Sequence, residues 1–279
     1  MKVGYAGNGG GMFVDVSHGR LFCEVVECRG PSARPPGTVM FLHGVAATHR
    51  MWANWIDVLA PSCRLVLIDT RGCGQSGDIG NLEDWSLDDF SDDVLAAANA
   101  VGAGDIHLIG ESFGGTAVLN LAARALPRVK SATVLSTAHR GGQIEKVKAW
   151  RRSIEENGLE EWSRQMMERR FFPGAISAED HDWFHRIQAS SPPLPLLRMG
   201  EMLLGTDLTE RLSNISCPLL MISPDHSPFV TPDIPMEILS AVPEADLAVL
   251  PHTRHGIFFS HGEECARLWL EFQERLDLP

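Results

Sequence analysis

Six cysteines stand in the 279-residue chain, and no two of them form a C-x-x-C pair: Cys23, Cys28, Cys63, Cys73, Cys217 and Cys265 are scattered. Metal-ligand and disulfide-framework spacing is therefore absent, and free thiols in a reducing cytoplasm are the expectation. Long apolar runs are missing as well. None approaches the roughly 20 residues that span a bilayer, and the opening MKVGYAGNGGGM lacks the apolar stretch of a secretory signal. Clustered cations are also lacking: 24 Lys and Arg stand against 36 Asp and Glu, a net charge of −12, which does not suit phosphate neutralisation. Neither a strand-led G-x-G-x-x-G nor a G-x-x-x-x-G-K-[ST] loop occurs, so no cofactor and no metal are implied. The expected partner is a small-molecule substrate, with no nucleic acid and no membrane. A homodimer is compatible with this and not required by it.

Hydrophobic residues make up 44% of the chain and charged residues 22%, ordinary proportions for a globular protein. A chain this long buries roughly 70–75% of its unfolded surface. The glycine-rich start predicts a flexible leader over residues 1–11. Met12–Val16 and Arg20–Val26 flank Ser17-His18-Gly19 and read as a hairpin, and Gly30–Gly37, with three prolines, as a loop. Short apolar strands then alternate with helical patterns. The strands are Thr38–Leu42, Arg64–Ile68, Ile106–Ile109, Ala132–Leu135, Leu219–Ile222 and Asp246–Leu250, each reading as buried on both faces. The helices are Trp52–Leu59, Leu87–Val101, Gly115–Ala125, Pro232–Ala241 and Glu263–Leu276. Such alternation implies an α/β fold with a mostly parallel sheet and helices on both faces.

Residues 140–212 break the rhythm. They carry helical patterns at Ile144–Ile154, Leu159–Phe171, Ala178–Ile187 and Leu196–Leu204 and no strand. The expected organisation is a core of residues 12–139 and 213–279, with 140–212 inserted as a helical cap. Met166, Met167, Phe171, Phe172, Trp183, Phe184, Met199 and Met202 give the insertion a soft apolar stripe, mostly packing, part of it suited to lining a pocket. Arg151, Arg152, Arg169 and Arg170 are expected mainly in surface ion pairs, with a substrate carboxylate as the alternative partner.

The chemistry concentrates at Gly110-Glu111-Ser112-Phe113-Gly114. This G-x-S-x-G follows a strand and opens a helix, where a tight turn thrusts the serine Oγ above the sheet. The helix N-terminus aims N–H groups at charge developing there. Phe41-Leu42-His43-Gly44-Val45 ends an earlier buried strand. The backbone N–H groups of Val45 and Phe113 are the expected oxyanion donors, and His43 is expected to shape the loop through buried hydrogen bonds.

His43-Gly44, then Asp69-Thr70-Arg71-Gly72-Cys73-Gly74-Gln75-Ser76-Gly77, then Gly-Glu-Ser-Phe-Gly resemble the α/β-hydrolase superfamily over residues 12–279. Their order is most similar to the 3-oxoadipate enol-lactonase and carboxylesterase-like branch. The resemblance implies an eight-stranded sheet with a helical cap after the sixth strand, and a base late in the chain. Pro251-His252-Thr253-Arg254-His255-Gly256-Ile257 offers two histidines. His255 matches the family's terminal histidine, His252 reads as structural, and His261 is expected near the start of the last helix. A serine hydroxyl is a poor nucleophile until an imidazole takes its proton. Asp69 and Arg71 read as a pair bracing their loop.

One part of the pattern is missing. In the family the acid follows the seventh strand, and here Ser227 stands in its place, with Asp225 two residues earlier. The slot after the sixth strand, Leu135-Ser136-Thr137-Ala138-His139, has no carboxylate either. Asp225 is the expected acid. Asp233, a bare Ser–His dyad and a carboxylate from the cap remain open. The expected activity is hydrolysis of a small carboxylic ester or lactone through an acyl-enzyme on Ser112, with amides, thioesters and C–C bonds open to the same machinery. The alternative is a non-hydrolytic member: a cofactor-free oxygenase or lyase, or a ligand-binding receptor. Haloalkane dehalogenases and epoxide hydrolases place Asp where this chain has Ser112.

Overall fold

A computed structural model describes residues 10–276 apart from 18, 29–36, 78–79, 143–146 and 148. Eight strands form one sheet in the order β1-β2-β4-β3-β5-β6-β7-β8. They are β1 (Gly10–Val16), β2 (Gly19–Val26), β3 (Thr38–Leu42), β4 (Arg64–Ile68), β5 (Ile106–Glu111), β6 (Val129–Leu135), β7 (Leu219–Pro224) and β8 (Ala245–Leu250). The β1–β2 and β2–β4 pairs are antiparallel, and all pairs from β3 to β8 are parallel. Of the expected leader, residues 1–9 lie outside the described residues. Gly10 and Gly11 are not leader but strand, paired with Val25 and Glu24. The bare Cα of Gly11 makes room for the Phe22 ring, which a Cβ would meet at 2.7 Å. The proline loop falls almost wholly outside the described residues.

The all-apolar strands divide their side chains between two cores by the period of two. In β3, Met40 and Leu42 face one core while Val39 and Phe41 face the other. The first core packs under α2 (Leu87–Ala100) and α3 (Phe113–Ala122), the second under α1 (Ala53–Leu59). Strand β8 departs from the expectation of burial on both faces. It is the sheet's edge, and its Val249 is 54% exposed.

Among the described residues, three α-helices lie between β6 and β7: α4 (Trp150–Arg170), α5 (Ala178–Ala189) and α6 (Pro193–Gly205). Glycine at 158, with φ 79°, breaks α4 into two arms, so the residues read as separate helices near 154 and 159 form one kinked element. After β7 come α7 (Asp233–Ala241), the single turn α8 (Ile257–Ser260) and α9 (Gly262–Leu276). Among the described residues no helix is long and apolar enough to cross a membrane.

The order β4-β3-β5 means the chain leaves β3 to one side and returns on the other. Crossovers diverge at such a switch point and leave a crevice at the strands' carboxyl ends. Two side chains of α1 hold the segment that follows the histidine: the Trp55 indole donates to Phe258 O at 2.8 Å, and the Asn54 amide donates to Phe259 O at 2.9 Å. Both carbonyls belong to α8, directly after the loop that carries His255. Trp55→Phe is expected to cost about 1–3 kcal/mol of stability, because it leaves a buried carbonyl without its donor. Urea unfolding checks this, and an unchanged midpoint would contradict it.

Candidate active site

Ser112 sits between β5 and α3 with φ 54° and ψ −118°, a conformation costing on the order of 1–3 kcal/mol that only surrounding structure can hold. Its amide donates to Leu135 O at 2.9 Å and its carbonyl accepts from Thr116 N at 3.0 Å. A Cβ at Gly114 would collide with the Leu42 and His43 carbonyls, so the strained turn can lie against the end of β3 only with glycine there. Phe113 is the first helical residue, and its N–H therefore has no acceptor inside the helix. Val45 borders the same cavity as Ser112.

The His255 Nε2 stands 3.2 Å from Ser112 Oγ. Three contacts hold its loop: Ser136 Oγ donates to His255 O at 2.8 Å, Gly256 N donates to Arg170 O at 2.9 Å, and Thr253 Oγ1 donates to Leu250 O at 2.7 Å. The Nδ1 side faces Ser227 Oγ at 3.2 Å. Ser227 Oγ in turn accepts the amides of Phe229 at 3.2 Å and Val230 at 3.1 Å.

Asp225 is thus not the partner of His255. Its oxygens accept the amides of His252 at 2.8 Å and Thr253 at 2.9 Å, and its Oδ1 pairs with the His226 ring at 2.8 Å. Partial burial works against ionisation, yet the His226 ring and the two amides hold this carboxyl well below the usual carboxylate range. Asp225 does not stand in the usual slot. The carboxylate clamps the start of the histidine loop, and the aligned hydroxyl of Ser227 reaches the imidazole. Asp233 opens α7 at the surface, 3.7 Å from Arg140. His252 is exposed at the loop's turn with φ 55°.

His43 shapes the oxyanion-side loop: its Nδ1 is 2.8 Å from Gly44 O, and its Nε2 accepts Thr70 N at 3.1 Å. Burial holds its pKa below the usual value, although Asp69 pulls the other way. Asp69 and Arg71 brace their loop through separate partners. Asp69 accepts from His49 N and Gln75 N at 2.7 and 2.9 Å, while Arg71 forms a two-pronged pair with Asp93 at 2.8 and 2.7 Å.

Two charged groups stand where sequence reasoning did not put them. Glu111, the residue before Ser112, is wholly buried. Its Oε2 accepts Gly44 N at 3.0 Å, and a Cβ on Gly44 would collide with that oxygen. Arg170, the last residue of α4, is no surface ion like Arg151 and Arg152. It is buried and spans the site, with Nη1 3.4 Å from Glu111 Oε1, Nη2 3.3 Å from Val45 O and Nε 3.1 Å from Gln188 Oε1. A carboxylate ending an otherwise apolar strand was the available signal for Glu111. For Arg170 only the apolar setting of its helix end hinted at burial.

A small cavity opens on Ser112 and His255. Its walls are mainly apolar, with Trp150, Met166 and Leu203 from the inserted segment opposing Val45, Ala138 and Phe229 from the core. The polar hydroxyls in it are already committed: Thr116 donates to Ala138 O at 2.8 Å, and Ser136 to His255 O. Among the described residues no group of His, Cys, Asp and Glu could hold a metal ion.

A serine on a strained strand-to-helix turn, facing a histidine at the carboxyl ends of a parallel sheet, defines the class: an α/β protein with a nucleophile elbow. The sequence model of the alpha/beta hydrolase fold family matches residues 37–262, and the chain belongs to that family. It is 29% identical over 208 residues to 3-oxoadipate enol-lactonase 1 of Acinetobacter baylyi, covering 74% of this chain and 76% of that protein. It is 25% identical over 240 residues to a pimeloyl-[acyl-carrier protein] methyl ester esterase of Nitrosospira multiformis, covering 81% and 90%. Among solved structures, the enol-lactonase of Burkholderia xenovorans superposes with a TM-score of 0.86 at 20% identity over 94% of this chain and all of that one. An esterase of Exiguobacterium antarcticum gives 0.83 at 16% over 94% and 99%. At those identities the superpositions speak for the fold.

Asp225→Ala separates a loop clamp from a triad acid. Removing an acid that orients the imidazole costs about 10⁴ in kcat; here kcat is expected to fall less than about tenfold, while stability drops by about 1–3 kcal/mol with the loss of two amide acceptors. Steady-state kinetics and thermal unfolding measure the two effects, and a loss of activity near 10⁴ would restore Asp225 as the acid.

Proposed function

We propose that the chain is a serine hydrolase that cleaves a small carboxylic ester or lactone through an acyl-enzyme on Ser112. The observation that carries this reading is the 3.2 Å contact between His255 Nε2 and Ser112 Oγ on a strained elbow beneath a covered, mainly apolar cavity. Ser112 attacks the carbonyl carbon as its proton passes to Nε2, and the oxyanion meets the N–H groups of Val45 and Phe113. One such donor is worth about 3–4 kcal/mol of barrier. The imidazolium then protonates the departing alkoxide or enolate oxygen, and a water deprotonated by the same nitrogen releases the acid. The related enol-lactonase and methyl ester esterase support an oxygen ester over an amide. The cavity's apolar walls and committed hydroxyls suit a short apolar acyl group. The residues from about 140 to 212 act as a cap in this reading, since Trp150, Met166 and Leu203 border the space above Ser112.

One observation favours a second reading. Ser227 brings no charge to the imidazole, as suits a member of the fold that binds a ligand or catalyses without an acyl-enzyme. Kinetics with a p-nitrophenyl ester decides between the two. On the hydrolase reading Ser112→Ala loses several orders of magnitude in kcat with its fold intact. Residual activity above about a tenth of wild type would remove Ser112 from the mechanism. Ser227→Ala is expected to lower kcat by only about five- to tenfold, because a neutral hydrogen bond is worth about 1 kcal/mol.

A further inference from the structure

We infer that Glu111 supplies the carboxylate that His255 lacks at Ser227, acting on the imidazole from its Nε2 edge, so that two residues divide the work of one triad acid. The inference rests on the hydrolase reading above. A triad acid does two things: it orients the imidazole, and it offsets the positive charge that forms when the serine proton arrives. Ser227 can do the first, for its Oγ lies 3.2 Å from Nδ1 and is itself pinned by two amides. Having no charge, it cannot do the second.

The carboxylate that faces His255 belongs to Glu111, whose Oε1 is 3.7 Å from Nε2. Its position leaves little freedom: the side chain is wholly buried, Oε2 takes the Gly44 amide, and Oε1 faces the Arg170 guanidinium at 3.4 Å. Arg170 from α4 and His255 from the loop after β8 are the charged or titratable groups that face Glu111 among the described residues.

Charge balance shows what this placement does. With Glu111 ionised, Arg170 and Glu111 cancel in the resting site, and imidazolium and oxyanion cancel in the transition state. With Glu111 protonated, the buried Arg170 stands alone and a second cation must form beside it. Low local dielectric makes that arrangement costly. Glu111 is therefore a positioning residue that works through His255 and never touches the substrate. Its position also sets the pH dependence. Burial pushes the Glu111 carboxyl up to about 7, against the pull of Arg170 and the Gly44 amide. Burial first, then the charge of Arg170, holds His255 well below its ordinary value. As pH falls, Glu111 takes up its proton before His255 does. The rate should therefore rise with pH through about 7 on the titration of Glu111.

The test is a pH profile of p-nitrophenyl ester turnover, paired with the rate of fluorophosphonate labelling, for wild type, Glu111→Gln, Ser227→Asp and the double variant. For Glu111→Gln the expected results are a kcat at least about tenfold lower, a KM within about twofold, and loss of the step near pH 7. Ser227→Asp places a carboxylate in the usual slot. It should raise kcat at least about tenfold in the Glu111→Gln background and have a clearly smaller effect in wild type, where Glu111 already offsets the imidazolium charge. If Glu111→Gln fails to fold because Arg170 is left buried and unpaired, Glu111→Gln/Arg170→Met removes both charges and carries the same rescue by Ser227→Asp. A Glu111→Gln protein that keeps the step near pH 7, or an equal effect of Ser227→Asp in both backgrounds, would overturn the inference. A wild type that neither labels nor turns over ester would instead remove the hydrolase reading, and the support of His255 with it.

Discussion

The site depends on one strained residue. With φ at 54°, Ser112 is held between the last pair of β5 and the first turn of α3, and the sheet supplies the force that keeps it there. Parallel pairing aligns Gly110 with Leu42 and Glu111 with Leu135, so the elbow rises where three strands end together. The Ser112 amide is tied to β6 and its carbonyl to Thr116. Because both neighbours of the turn are packed backbone, the strain has no route of release short of loosening the sheet. That rigidity presents the hydroxyl to a histidine arriving from 143 residues away in sequence.

The histidine side is assembled by smaller, distributed contacts. Trp55 and Asn54 anchor the turn after it, Ser136 holds its own carbonyl, and Asp225 clamps the residues before it. Arg170 joins this set from the inserted helices. Its carbonyl accepts Gly256 N while its guanidinium meets Glu111 and Val45 O. One residue thus touches the Val45 loop, the residue before Ser112 and the histidine loop together. Loss of the helical insertion would therefore uncover the cavity and also remove a buried charge next to His255.

Much of this was legible in the chain. Apolar runs of four or five residues alternating with amphipathic stretches suit a covered parallel sheet, and the strands fell where the runs lie. The serine was legible because its glycines, strand and helix all point to one turn. The group facing Nδ1 of His255 was not, because sequence shows which carboxylate is near in number and not where a loop aims it. Asp225 lies two residues from the usual slot but turns to the amides of His252 and Thr253. Glu111 and Arg170 were hidden for a different reason. Burial of a charge depends on a partner from a distant element, and 59 residues separate these two. Gly10 and Gly11 show the same limit, since their strand conformation comes from pairing with β2 and from the Phe22 ring, not from any propensity of glycine.

The covalent intermediate is the most direct point at which to question the account. Wild-type protein mixed with a p-nitrophenyl ester, quenched in acid within milliseconds and mapped by peptide mass spectrometry, should carry the acyl group on Ser112. The adduct should be absent from Ser112→Ala treated alike. Turnover of the ester with no acyl group on Ser112, or with the group on another residue, would contradict the assignment of the nucleophile and of the chemistry built on it.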